Sequence, residues 1–249
     1  MSPLISSTGS RMRQWERPVG VLALTLAATA LAACFDQWVF DHCFSPDSAT
    51  RGLSYTLKSM GCLYPWVAAA VLLVVCDLKA HAAGGMAAWH GAIRKALLVL
   101  LSPLVAGGLA EAVKVAVCRP RPPACAFGQV PGLFDALAQA GSSAGGLSAQ
   151  GSYGFCSGHS AVAFGAAFAM SRLLPGTRWV WLALAIGCAF TRVQSHAHCL
   201  SDVVFGAGMG WFAAWMVVAV IRRISRRVDA RRGFGGMFWD FPSGRALPL

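Results

Sequence analysis

The chain has 249 residues, of which 56% are hydrophobic and 12% charged, and its mean hydropathy is +0.57. A soluble globular domain carries about 25% charged residues, so the composition excludes an ordinary soluble protein and indicates an integral membrane protein. The formal net charge of +11 would suit nucleic acid, but its placement along the chain points instead to membrane topology.

Residues 1–18 form a polar arm containing Arg11, Arg13 and Arg17, with Pro18 opening the first apolar run. That run extends from about Val19 to Phe40, close to the roughly 20 residues that cross a bilayer. Leu31-Ala32-Ala33-Cys34 within it is similar to a lipoprotein signal-peptidase site, but apolar sequence continues past Cys34 and further spans follow, which favours an uncleaved first span. Residues 41–61 read as a loop rich in Ser, Asp and Gly. A second span is expected over about Cys62 to Leu78, followed by a small-residue segment with Lys79, Arg94 and Lys95. The third runs from about Ala96 to Cys118 and carries Glu111 and Lys114 near its far end.

A long loop rich in Pro, Gly, Ser and Ala follows at about 119–156. The fourth span begins near Ser157 and ends by Leu174, where Pro175-Gly176 turns the chain. The fifth runs from about Trp179 to Gln194. The sixth runs from about His198 to Ile221, and its Gly206, Gly208 and Gly210 suit close helix packing. The fold class expected is therefore all-α, a bundle of six transmembrane helices over 19–221, with a basic tail at 222–249. Placing both termini in the cytoplasm puts 15 of the 21 Lys and Arg on that side, in line with the positive-inside rule, with contact to anionic lipid available to the tail. Nucleic acid is not an expected partner.

Lys114, Arg119, Arg121 and Arg192 oppose this bias, at the ends of different spans on one membrane face. Charge placed against the trend in a membrane marks function, and four cations on one face imply an anionic ligand. Three segments reach that face. Lys114 to Pro122 closes the third span, and the prolines stiffen its exit. Cys156-Ser157-Gly158-His159-Ser160 opens the fourth, where Ser157 is a candidate N-cap and the unpaired N–H groups of the first turn form an anion site. Gly158 would let a ligand approach the backbone. The third segment is Thr191 to Asp202. On a helix, His198 and Asp202 share a face, and a carboxylate on one imidazole nitrogen leaves the other as base or nucleophile. Arg192 offers a fork of donors suited to phosphate. Each residue also has a plain reading: Lys114 and Arg119 snorkelling to the interface, with Arg119 otherwise an accessory cation, His159 a polar helix start, His196 a loop residue, and Glu111 a partner of Lys114 at i, i+3.

Together these residues resemble the signature of the type 2 phosphatidic acid phosphatase superfamily: Lys, six residues, Arg-Pro; Pro-Ser-Gly-His; and Ser-Arg, five residues, His, three residues, Asp. Lys114 with Arg121-Pro122 fits the first part, Ser157-Gly158-His159 the second, and Arg192, His198 and Asp202 the third. Cys156 stands where the pattern has Pro, which would loosen the turn into the fourth span, and Thr191 where it has Ser. The resemblance implies that His198 attacks phosphorus while Asp202 holds its ring, and that His159 protonates the leaving oxygen and then activates water. It also implies that Lys114, Arg121, Arg192, the Ser157 hydroxyl and the Gly158 N–H bind the phosphoryl oxygens. The partners implied are a phosphorylated membrane lipid and the bilayer. No cofactor is expected, and no metal, since the sequence brings no carboxylate cluster to this region for Mg²⁺. A lipid phosphotransferase using the same intermediate, and a non-catalytic lipid-phosphate binder or transporter, are the competing readings. Cys43–Cys62 and Cys118–Cys125 are conceivable disulfides on an oxidising face, whereas Cys34, Cys76 and Cys188 read as buried packing residues.

Overall fold

In a computed structural model of the chain, residues 6–43, 51–80, 85–122, 132–138 and 153–231 are described. They form helices α1 (Ser6–Cys34), α2 (Asp36–His42), α3 (Arg51–Ser59), α4 (Tyr64–Ala80), α5 (Gly85–Val117), α6 (Leu133–Ala138), α7 (Gly158–Leu173), α8 (Arg178–Gln194) and α9 (Leu200–Arg231). There is no named strand among the described residues, only an isolated bridge between Pro120 and Tyr153. The described residues are thus all-helical, as the succession of apolar runs leads one to expect.

The centre of the bundle is α7, which packs against α5, α8 and α9. Its sequence explains the position: Ala161, Ala163, Gly165, Ala166, Ala167 and Ala169 are buried, and small side chains let neighbouring backbones approach closely. A Cβ at Gly210 of α9 would stand 2.5 Å from the Ala161 carbonyl oxygen and 2.6 Å from the Gly165 nitrogen. At Gly206 it would stand 2.7 Å from the Ser157 oxygen. The α9 glycines thus hold the two helices at near-backbone contact. Large apolar residues instead point outward on the peripheral helices: Leu24, Leu26 and Leu31 on α1, Val71 and Leu72 on α4, and Trp179, Ile186 and Phe190 on α8. An apolar exterior of this kind belongs in a membrane.

The elements differ from the sequence reading in several places, among them α6 within the segment read as a loop at 119–156 and the start of α5 at Gly85 rather than near Ala96. The first apolar run is not one straight helix, because the chain bends by 57° between Pro18–Cys34 and Asp36–His42. Part of the segment read as a loop at 41–61 is helical, as α3. The reason is tertiary: Leu57 lies against Gly187 of α8, where a Cβ would stand 3.0 Å from the Leu57 Cδ2. Two helices, Trp89–Val117 and Leu200–Ser225, are long and apolar enough to span individually, or up to four spans if the bent pairs α1–α2 and α3–α4 each count as one. The six-span count is thus not reached on length and composition. With 16 and 17 residues, α7 and α8 extend only about 24–26 Å at ~1.5 Å per residue. Finally, Cys34 and Cys76 are exposed rather than packed inside, while Cys188 is buried. Cys43, Cys62 and Cys118 are free thiols, and Cys125 lies outside the described residues.

Candidate active site

Helix ends deliver the candidate residues. At the end of α5, Lys114 is buried at 5% exposure and its Nζ donates to Glu111 Oε1 at 2.5 Å, the i, i+3 pairing expected from the sequence. Cys118, with φ 54°, caps the helix, its N–H donating to the Lys114 carbonyl at 2.9 Å. The left-handed turn redirects the chain so that Arg119 and Arg121 diverge. Arg121 Nε donates to the Tyr153 carbonyl at 3.1 Å.

At the start of α7, Ser157 is the N-cap, its hydroxyl oxygen accepting from the Ser160 N–H at 3.4 Å. A Cβ on Gly158 would lie 3.5 Å from Lys114 Nζ, so the α5 cation sits beside the first turn of α7, where unpaired N–H groups favour an anion. His159 follows in that turn, half-buried against Gly61, whose own Cβ would collide with it. The charges of Arg192, Lys58 and Lys114 and the imidazole of His198 all act on His159.

The third segment departs from the sequence reading in one respect. His198 and Asp202 do not share a helical face, because His198 precedes α9 and Asp202 lies in its first turn. Asp202 Oδ2 accepts the Cys199 N–H at 2.9 Å, and His198 Nδ1 lies 3.5 Å from that oxygen. The shorter bond of Nδ1, 2.8 Å, is to the carbonyl oxygen of Gly154. A carbonyl oxygen can only accept, so Nδ1 carries the proton and Nε2 keeps its lone pair. Burial pushes the His198 imidazole below its ordinary value of 6.5, and the charges of Arg121 and Arg192 add to this while Asp202 opposes it. The net direction favours the neutral ring, in which Nε2 carries the lone pair. The Arg192 carbonyl fixes its backbone, accepting from the His198 N–H at 3.3 Å and the Ala197 N–H at 3.1 Å. The Arg192 side chain is 8% exposed, and its buried Nε has no hydrogen-bond partner.

One short segment joins all three parts. Gly154 donates its N–H to the Arg119 carbonyl at 2.7 Å, and Ser157 donates its N–H to the Asp202 carbonyl at 3.0 Å. A Cβ at Gly154 would stand 3.2 Å from the Pro120 oxygen and 3.4 Å from Asp202 Oδ2, so a larger residue would crowd both. These bonds hold the turn that lacks the expected Pro. Cys156 is fully buried there, and burial, with a smaller contribution from Asp202, pushes its thiol up to about 12, which keeps it protonated and unreactive.

Asp36 and Gly154 lie outside the signature, and Arg119 stands within it only as an unassigned residue between Lys114 and Arg121. Arg119, 1% exposed, does not face an open anion site with the other cations: it pairs with Asp202 at 2.8 Å and Asp36 at 3.0 Å. The available signal was Asp36 itself, a charge inside an apolar run. His196 is a support, as its loop position suggests: its Nε2 donates to the Phe40 carbonyl at 2.8 Å, and its ring stacks on Phe40. Among the described residues, no group of three or more His, Cys, Asp or Glu could hold a metal ion.

Comparison with known proteins supports the same architecture. A crystal structure described as that of the first transmembrane PAP2 type phosphatidylglycerolphosphate phosphatase from Bacillus subtilis superposes with a TM-score of 0.58 at 17% identity, covering 84% of this chain and 98% of that one. No curated protein sequence matches the chain. The family model of the PAP2 superfamily matches residues 95–226, a stretch that contains Lys114, Arg121, Ser157, Gly158, His159, Arg192, His198 and Asp202. With more than half of its length matched, this chain is a member of the PAP2 superfamily.

Proposed function

We propose that the protein is a membrane phosphatase that hydrolyses a lipid phosphomonoester or pyrophosphate through a phosphohistidine on His198. The observation that carries the reading is a buried arginine, Arg192, whose Nε has no partner, beside an imidazole whose Nδ1 is already bonded to Gly154. A phosphoryl group supplies what both lack: acceptor oxygens for the guanidinium and an electrophile for Nε2.

In the first step Nε2 bonds to phosphorus as the P–O bond to the leaving group breaks, and His159 passes a proton to the departing oxygen. The His198 ring becomes cationic, a charge that Asp202 and the Gly154 carbonyl stabilise. In the second step His159 takes a proton from water, the hydroxide attacks phosphorus, and the P–N bond breaks to release phosphate and restore Nε2. Lys114, Arg121, Arg192, the Ser157 hydroxyl and the Gly158 N–H bind the phosphoryl oxygens as charge redistributes. Cations rather than a metal ion carry that charge, so no metal or cofactor is required.

Six crossings make up the membrane domain at 19–221 in this reading: the bent pairs α1–α2 and α3–α4, then α5, α7, α8 and α9. Being enclosed by its neighbours, α7 need not match the bilayer thickness. The apolar outer face of α8 suits lipid despite its length. The arm at 1–18 and tail at 222–249 lie in the cytoplasm, and the site opens on the extracytoplasmic face, the periplasm of a bacterial inner membrane. The cation distribution supports this orientation. Thiol labelling or reporter fusions near residue 140 and at residue 249 are expected to report opposite sides. Labelling of both from one side would overturn the topology.

The activity is tested by phosphate release from phosphatidic acid, phosphatidylglycerophosphate, an isoprenyl pyrophosphate and lipid A phosphates in mixed micelles. At least one is expected to be hydrolysed in excess EDTA, with inhibition by vanadate, whose trigonal-bipyramidal form mimics the phosphoryl group in transfer. Turnover abolished by EDTA and restored by Mg²⁺ would rule out the metal-free mechanism. Transfer to a second lipid without phosphate release would identify a phosphotransferase, and binding without either would identify a binder.

A further inference from the structure

Asp36 stands at the bend between α1 and α2, outside the 95–226 stretch of the family match. It is 5% exposed. Its Oδ1 accepts the Ser201 N–H at 2.8 Å, and its Oδ2 accepts the Ser201 hydroxyl at 2.6 Å and Arg119 Nη2 at 3.0 Å. Arg119 Nη1 donates in turn to Ser201 Oγ at 2.9 Å and to Asp202 Oδ1 at 2.8 Å. Ser201 and Asp202 are both 0% exposed. The result is a buried carboxylate–guanidinium–carboxylate chain that starts in the N-terminal helices and ends on the partner of His198.

The charges of this chain matter to the imidazole. Arg121, after α5, and Arg192, on α8, direct positive charge at His198, and His159 of α7 interacts with it. Lys114 acts on the same α7 histidine and is itself paired with Glu111. Asp202 is the carboxylate that opposes them at Nδ1. If Arg119 faced Asp202 alone, it would cancel that charge. With Asp36 on its other side, one cation is shared between two carboxylates, and a net negative charge remains beside Nδ1. Its position also fixes Asp202: with Oδ1 held by Arg119, Oδ2 is turned toward the ring.

We propose that Asp36 is a positioning residue which, through Arg119 and Ser201, orients Asp202 and preserves its negative charge toward His198. The inference rests on the phosphohistidine reading, because the charge is needed when the ring becomes cationic on bonding to phosphorus. It assigns a part in the chemistry to α2, which the family match does not reach.

The test uses the purified full-length protein with whichever lipid the phosphate-release panel identifies. Asp36→Asn is expected to lower kcat about 10- to 100-fold, by analogy with loss of a partner that orients a metal-ligating side chain, with KM within about threefold. Because activity requires neutral His198, and loss of effective negative charge disfavours its protonation, the acid limb of the pH profile should move down by about one unit. The double variant Asp36→Asn/Arg119→Gln, which removes the unshared cation as well, should bring the limb back toward wild type. Ser201→Ala loosens Asp36 without removing a charge and should move kcat and the limb in the same direction by less. A lowered Tm with unchanged kcat and an unmoved acid limb would reduce Asp36 to a structural residue and overturn the proposal. Where Asp36→Asn does not fold, an unmoved limb in Ser201→Ala overturns it equally. A wild-type protein that releases no phosphate from any lipid overturns the phosphatase reading and this one together; an active wild type with unmoved limbs in the variants overturns this one alone.

Discussion

His198→Ala is expected to bring phosphate release to background with every substrate, a loss on the order of 10⁴- to 10⁶-fold, as for removal of a covalent nucleophile. The expectation follows from the state of the ring. Nδ1 is bonded to the Gly154 carbonyl, which leaves Nε2 as the nitrogen with the lone pair in the neutral ring, and burial favours that neutral form. The nearby His196 is not placed to substitute, since it is committed through Nε2 to Phe40. The measurement is single-turnover trapping of labelled phosphate, quenched in alkali, where a phosphoramidate survives. Wild type should retain label and His198→Ala should not. Label retained by His198→Ala would move the nucleophile elsewhere. The buried position makes a stability check necessary, and His198→Gln, closer in volume, serves as the second variant.

His159→Ala should instead give a loss that depends on the leaving group. An alkoxide leaves poorly and needs a proton, whereas an aryl oxide departs without one. Removing a single acid–base group costs about 10²- to 10⁴-fold, so the first step on a lipid ester should fall by about that amount while an aryl phosphate is affected much less. Trapping experiments separate this step from the later attack by water, in which the proposed mechanism also uses His159 and which would blur steady-state rates. Equal losses for both substrates in formation of the intermediate would remove His159 from the acid role.

How far the sequence anticipates this site depends on the kind of partner each residue uses. Lys114, Ser157, Gly158 and His159 occupy helix ends, and local spacing fixes such ends: the Glu111–Lys114 pair and the Ser157 cap both lie within one turn. The close packing expected of Gly206 and Gly210 is also found. Contacts over distance or through backbone are what the sequence conceals. The Nδ1 partner of His198 is a carbonyl oxygen 44 residues away, and every residue has a carbonyl, so no side chain signals it. Asp36 and Ser201 are 165 residues apart, joined only because the first apolar run bends at Phe35. The helix α3 is hidden for a related reason, since its stability comes from Leu57 against α8 rather than from its own composition. Cys34 and Cys76 are exposed against expectation because apolar neighbours in sequence say that a span is present but not which face looks inward.

The enclosure of α7 has a mechanical consequence. Interiors packed to this density do not deform by small continuous steps, and where Gly210 meets the Ala161 carbonyl there is no side chain to rearrange. A helix hemmed in by α5, α8 and α9 can act only as a fixed post. In the proposed lipid phosphatase, movement that admits acyl chains would then fall to the outer shell, where α3 packs on α8, α4 on α5, and α1 on α9. On that reading, tolerance for different tails and fidelity at phosphorus would reside in separate parts of one small bundle, and the first could drift without disturbing the second.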